Sequence, residues 1–300
     1  MTTVYHVRHE TRYRHAGTVA MSQHVAYLTP RALARQAVHS ASVTFAPEAA
    51  DRSDGRDYFG NLVTRLAILK PYTELGVIAE SLVEVAAGAQ VTPRTSPPWE
   101  ALRDAGVFRA GSPPGEADEF RYPSAFVQPS AALAEYARPC FPPGRPFLAG
   151  AIDLMHQVHG DFTFDAGVTS ITTPLSRVLD DRRGVCQDFA HLQIGCLRSL
   201  GLPARYVSGY LLTDPPPGSP RLLGADASHA WLSVWCPVHG WVDLDPTNDL
   251  VPDVRHITVA WGRDYADVSP LRGVVLGGGE HELSVAVSVV PEEEAQQRPE

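Results

Sequence analysis

Arg183-Gly184-Val185-Cys186-Gln187-Asp188-Phe189-Ala190-His191-Leu192-Gln193-Ile194-Gly195-Cys196-Leu197-Arg198-Ser199-Leu200-Gly201-Leu202-Pro203 is the stretch on which the fold turns. Phe189, Leu192, Cys196, Leu197 and Leu200 recur at helical spacing, and Gly201 with Pro203 ends the run. The segment from Cys186 to Leu200 is therefore a buried helix carrying Cys186 in its first turn. A thiol placed there sees the positive end of the helix dipole and unpaired backbone N–H groups, which favour a thiolate and offer a donor to an oxyanion. The plainer alternative is a small buried hydrophobe, a description that suits Cys196 on the apolar face of the same helix.

Downstream, Ser228-His229-Ala230-Trp231-Leu232-Ser233-Val234-Trp235 has strand character, and Trp241-Val242-Asp243-Leu244-Asp245 is its partner across Cys236–Gly240. With Trp235 opposite Trp241 across a five-residue loop, His229 lies diagonally beside Asp245 on one face, and Asp243 sits one step further away. A slip of one residue would put the pair on opposite faces, so the pairing demands this unusual loop or a bulge. Pro246 holds Asp245 extended and ends the strand. Singly, the histidine is a plain polar residue and the aspartate a strand terminator; joined with a thiol at a helix start, they make a candidate triad of Cys186, His229 and Asp245.

The rest of the chain frames this unit. With 300 residues, 44% of them hydrophobic, it can bury an extensive core. A formal charge of −9, a pI near 5.7 and no cluster of Lys or Arg argue against nucleic acid or an anionic membrane as partner. No stretch has the ~18 consecutive apolar residues of a membrane span and the N-terminus lacks a signal-peptide core, so the expected compartment is cytoplasmic. Four cysteines, none in a Cys-x-x-Cys pair, predict reduced thiols.

Residues 1–91 predict a β-rich domain, because Tyr5, Val7, His9, Thr11 and Tyr13 alternate with polar neighbours and Val38–Phe45, Leu62–Leu69 and Ser81–Val85 carry β-branched runs. Asp54-Gly55 and Gly60-Asn61 supply turn chemistry. Residues 92–122, rich in proline and glycine, are the expected linker. Helical patterns at Ala131–Tyr136 and Phe147–Val158 open a core expected over 123–290, C-terminal strands included, and the acidic stretch 291–300 is an expected disordered tail.

Gly184-Val185-Cys186-Gln187-Asp188-Phe189-Ala190, Ala204-Arg205-Tyr206-Val207-Ser208-Gly209-Tyr210, His229-Ala230-Trp231 and Asp245-Pro246-Thr247, in that order, resemble the core of the transglutaminase-like superfamily. Tyr5, His9, Thr11, Tyr13, Pro30, Arg31, Gln36, Asp57, Phe59, Gly60 and Asn61 resemble the bacterial transglutaminase-like N-terminal region. Gly262-Arg263-Asp264-Tyr265 with Asp267, Val268 and Pro270 resembles the segment following the core in those proteins. The resemblance implies an α+β papain-like core, a helix bundle against an antiparallel sheet, preceded by a β-rich domain. It also implies Cys186 as nucleophile, His229 as base and Asp245 as orienting carboxylate. The calcium-binding regions of animal transglutaminases have no counterpart here, so calcium dependence is not carried over.

The implied chemistry is thioester-forming acyl transfer on amide or isopeptide bonds of a protein or peptide substrate, resolved by water or by an amine. No cofactor and no metal is expected. Tyr206 and Trp231 are candidate substrate-binding residues lining the cleft, although strand aromatics are more often core. The Thr213–Asp226 loop is a candidate rim or an inert connection. Two rivals stand beside this reading. One is a catalytically inactive module that binds peptides or partner proteins. The other is a metal protein using His156, His159 and His191, which lack a carboxylate or cysteine at ligand spacing.

Overall fold

The computed structural model describes residues 2–88, 90–106, 115–214 and 227–295. The chain opens with strands β1 Thr2–Ala26, β2 Gln36–Ala46, β3 Asp51–Arg56, β4 Leu62–Ile68 and β5 Tyr72–Ala86. Helices α1 Trp99–Ala105, α2 Ala131–Ala137 and α3 Phe147–Asp161 follow, then β6 Thr163–Phe164, α4 Leu175–Asp181, β7 Arg183–Gly184 and α5 Cys186–Ser199. Strands β8 Ala204–Leu211, β9 Ala227–Cys236, β10 Gly240–Leu244 and β11 His256–Gly262 come next. Helix α6 Tyr265–Val268, strands β12 Leu271–Gly277 and β13 His281–Pro291 and the single turn α7 Glu292–Ala295 close the chain.

Strand β1 is the spine of the first sheet. Its alternation places Tyr5, Val7, His9 and Thr11 in the interior and His6, Arg8 and Arg12 outside. One edge pairs with β5 and β4; the other takes β13 from Tyr5↔Pro291 to His15↔His281 and then β12 from Val19↔Gly277 to Ala26↔Leu271. The strands expected inside the 123–290 core therefore leave it to complete the N-terminal sheet. The cause is the length of β1, whose second edge carries N–H and C=O groups that require a ladder. The tail is corrected with them: Pro291 pairs with Tyr5, Glu292–Ala295 form a helical turn, and residues 296–300 lie outside the described ones.

Asp54-Gly55 is also corrected, since both residues sit within β3, opposite Thr64 and Val63. The turn falls at Asp57–Asn61, where Gly60 adopts φ +75° and the Asp57 carboxylate accepts the Asn61 N–H at 2.7 Å. The described part of 92–122 holds no strand, but it is packed: α1 buries Leu102, and Phe120 is buried in a following 3₁₀ turn.

The second sheet is antiparallel in the order β10-β9-β8-β11. Tyr206, Leu232 and Leu244 lie in register on one face, where Leu232 and Leu244 join the core with Phe189, Leu192 and Leu197 of α5. The single apolar face expected of α5 is too narrow a description, because Asp188 through Arg198 are all buried. Several of its polar side chains donate to backbone carbonyls of the surrounding chain. Gln193 donates to the Ala151 carbonyl at 2.8 Å, and Arg198 donates to Phe120, Ala204 and Arg263 carbonyls at 2.9, 2.9 and 2.6 Å. The opposite face carries the row Arg205, Ser233 and Asp243, and the first domain covers it. Arg35 pairs with Asp243 at 2.8 Å, Gln36 bonds Thr258, and the Arg31 guanidinium lies 3.5 Å over the Trp261 ring. The architecture is the expected α+β one.

Candidate active site

Helix α5 begins where two contacts fix the chain. The Asp188 carboxylate reaches back to accept the Val185 N–H at 2.8 Å and the Thr169 hydroxyl at 2.6 Å. A side chain at Gly184 would bring a Cβ within 2.7 Å of that carboxylate, so only glycine lets Asp188 fold back. Burial raises the Asp188 pKa, opposed by these two hydrogen bonds. Cys186 thus starts the helix half-buried, whereas Cys140, Cys196 and Cys236 are fully buried and none forms a disulfide. Burial pushes the Cys140 thiol up to about 11 and Cys196 higher still.

The β9–β10 hairpin keeps the expected register, Trp235↔Trp241, but pairing continues to Cys236↔Gly240. The loop is thus Pro237-Val238-His239, tighter than five residues, and it ends on Gly240 at φ +70°. Asp245 follows Leu244, itself opposite Leu232, and its Oδ2 lies 2.7 Å from His229 Nε2. Asp243 turns instead to Arg35.

The His229 ring also hydrogen-bonds the Cys186 thiol. Since Nε2 is committed to Asp245, Nδ1 is the nitrogen left for the sulfur. Burial works against the charged ring, yet the bonds to Asp245 and Cys186 outweigh it and raise the His229 pKa to about 10. Burial likewise opposes the Asp245 charge, but hydrogen bonds from His229, His256 and Asn248 hold its carboxyl well below the usual carboxylate range. The arrangement brings a carboxylate and a sulfur to the same imidazolium ring.

Two partners of Asp245 escaped the reading of the sequence. Asn248 donates its Nδ2–H to Oδ2 at 2.8 Å, while the N–H groups of Thr247 and Asn248 reach Oδ1 at 3.0 and 3.2 Å. An aspartate accepting N–H groups two and three residues on is an Asx-type turn, a signal that Asp-Pro-Thr-Asn does carry. His256, at the start of β11, donates to Oδ2 at 3.1 Å, and nothing in the sequence marks it. The ligand atoms of His229, Asp245 and His256 lie within 4.8 Å of one another, a spacing that could hold a metal ion but that two N–H donors on one carboxylate also account for. His156, His159 and His191 do not converge: they meet Asp249, the Thr247 carbonyl and the Tyr265 N–H respectively.

Tyr206 and Trp231 are too deeply buried to offer surface to a substrate. Trp231 is 0% exposed; its ring closes over Gly209 and lies edge-on to His256, with centroids 5.3 Å apart. Tyr206, 2% exposed, packs on His191 with its phenol in the electrostatic field of Cys186. Residues 215–226 of the candidate rim lie outside the described ones. A cavity of about 770 Å³ on the outer face of the N-terminal sheet, between Arg8, Ser42, Glu80 and Ser288, touches none of the candidate residues.

A helix that starts at a thiol and packs against the antiparallel sheet carrying the imidazole and the buried carboxylate defines a papain-like α+β fold. Residues 5–84 match the model of the bacterial transglutaminase-like N-terminal region, and 135–246 match that of the transglutaminase-like superfamily. An uncharacterized protein of Mycobacterium tuberculosis is 43% identical over 96% of this chain and 92% of its own, and one of Mycobacterium leprae 34% over 94% and 97%. The chain belongs to the transglutaminase-like superfamily. A protein-glutamine gamma-glutamyltransferase of Pseudomonas aeruginosa is 28% identical over 41% of this chain and 18% of its own. The fold matches a crystal structure from Cytophaga hutchinsonii, provisionally named a cysteine protease, with a TM-score of 0.75 at 19% identity, over 97% of this chain and 91% of that one.

Proposed function

We propose that the protein is an acyl-transfer enzyme that cleaves amide or isopeptide bonds of proteins or peptides through a thioester on Cys186. The observation that carries this reading is the His229 imidazole held between the Cys186 thiol and the Asp245 carboxylate, with 2.7 Å to the latter. Cys186 Sγ attacks the carbonyl carbon, and the oxyanion meets N–H groups of the first turn of α5, which have no partner within the helix. His229 then hands its proton to the leaving amine as the C–N bond breaks. Water, or a second amine, attacks the thioester with His229 as base, and the thiol is regenerated. Water gives a peptidase or amidase and an amine gives a transglutaminase; these outcomes differ only in the acceptor.

The test is iodoacetamide labelling at mildly acidic pH followed by peptide-substrate profiling with and without an added primary amine. Labelling should be selective for Cys186, and alkylation of Cys140 or Cys236 ahead of it would reject the assignment. Cys186→Ala and His229→Ala should each abolish turnover, and the double variant should be no worse than either, because both stop the same step. Asp245→Asn should leave a small residual activity, since the aspartate orients the imidazolium without taking its proton. An inactive binding module would instead keep its biological role with Cys186→Ala, provided that the variant accumulates normally.

A further inference from the structure

We propose that His256 is a positioning residue for this site, acting on His229 through the carboxylate they share; the inference rests on the triad reading above. Among the described residues five donors converge on Asp245, and four of the five have an evident origin. Thr247 and Asn248 belong to the turn that Asp245 itself opens, so their three bonds follow the aspartate wherever it goes. His229 is the group being served. His256 alone comes from elsewhere. It starts β11, which lies at the far edge of the sheet from β10, three strand spacings or roughly 14 Å away in a flat sheet. Its Nε2 nevertheless sits 3.1 Å from Asp245 Oδ2, because the sheet curls.

The ring is built into its place. His256 is 1% exposed, held edge-on by Trp231 at 5.3 Å and with the His229 centroid 6.0 Å away. Its Nδ1 is buried without a hydrogen-bond partner among the described residues, the Asp253 carboxylate standing 3.9 Å off. A histidine retained only for packing gains nothing from one orphaned nitrogen. Here the other nitrogen is spent on the oxygen that receives His229. The donor bond stops the Asp245 carboxylate from rotating away from His229 and so keeps Nδ1 of that ring aimed at the sulfur. Among the described residues, the charged and titratable groups facing His256 are Asp245, His229 and Asp253.

Two variants of similar length separate the donor from the packing: His256→Gln keeps an N–H that can reach Asp245, and His256→Met does not. The readout is the rate of Cys186 alkylation by iodoacetamide as a function of pH, which needs no substrate. His256→Met should label about tenfold more slowly near pH 6, as for one lost charge-assisted hydrogen bond. Its acid limb should move to higher pH, while His256→Gln stays within a factor of two or three of wild type. Equal rates in both variants, or an unchanged profile in His256→Met, would overturn the proposal. If His256→Met fails to fold, ¹⁵N NMR of histidine-labelled wild-type protein decides. A His256 ring protonated at Nε2 supports the role, and one protonated only at Nδ1 rejects it. Failure of the triad reading looks different, because wild-type Cys186 would then show no selective labelling at all.

Discussion

At the scale of single residues, His229 couples the chemistry of the site to its stability. Its pKa rises from 6.5 to about 10 on folding, so the folded protein holds that proton more tightly than the unfolded chain. The resulting stabilisation is complete below about pH 6.5 and is lost as the pH climbs towards 10. Asp245 is shifted the other way, and its contribution is present above its unfolded value of 3.8 and lost on acidification. Wild-type protein should therefore exceed His229→Gln in Tm by the widest margin near pH 5–6, with the gap shrinking steadily to pH 10. A gap that grew with pH would mean that the imidazole is neutral in the folded state.

At the scale of elements, the position of Cys186 depends on how α5 starts. Asp188 is buried, and its two hydrogen bonds tie the helix to Val185 before it and to Thr169 in the preceding loop. Asp188→Ala should cost about 1–3 kcal/mol in urea unfolding, the range for a lost helix cap with buried partners left unpaired. It should also slow Cys186 alkylation, because the first turn frays where the thiol sits. Unchanged labelling with lowered stability would show that the sulfur is held by something other than the cap. The hairpin makes the same point from the strand side: a three-residue loop with Gly240 at positive φ sets the register that brings Asp245, and not Asp243, to His229.

At the scale of the whole molecule, the two halves share a buried cluster, while a second cluster lies within the first sheet. Tyr5, Val7, Val287 and Val289 of the first sheet belong to the same buried cluster as Leu232 and Ile257 of the second. Val289→Asp places an unpaired carboxylate at a 0% exposed position and should cost about 3 kcal/mol or more. Far-UV and near-UV signals should still fall in one shared transition. A separate early loss of the N-terminal sheet would show two independent units.

The sequence by itself determined the elements whose information is local. Alternation along β1, the helical period after Cys186, the turn at Gly60-Asn61 and the Asp-Pro terminator each act within a few residues, so all were legible in the chain. The tertiary structure decided what depends on distant partners. Strands β12 and β13 have ordinary strand patterns, and only the free edge of β1, some 270 residues earlier, fixes where they go. Helix α5 is buried on every side, with Gln193 and Arg198 donating to carbonyls of distant segments, which no periodicity can reveal. Tyr206 and Trp231 are read from the sequence as cleft residues, but both are buried in the core. His256 is a lone histidine at a strand start until the curl of the sheet brings it to Asp245. Side-chain pairing across a curled sheet is a property of the fold and is written in no single segment.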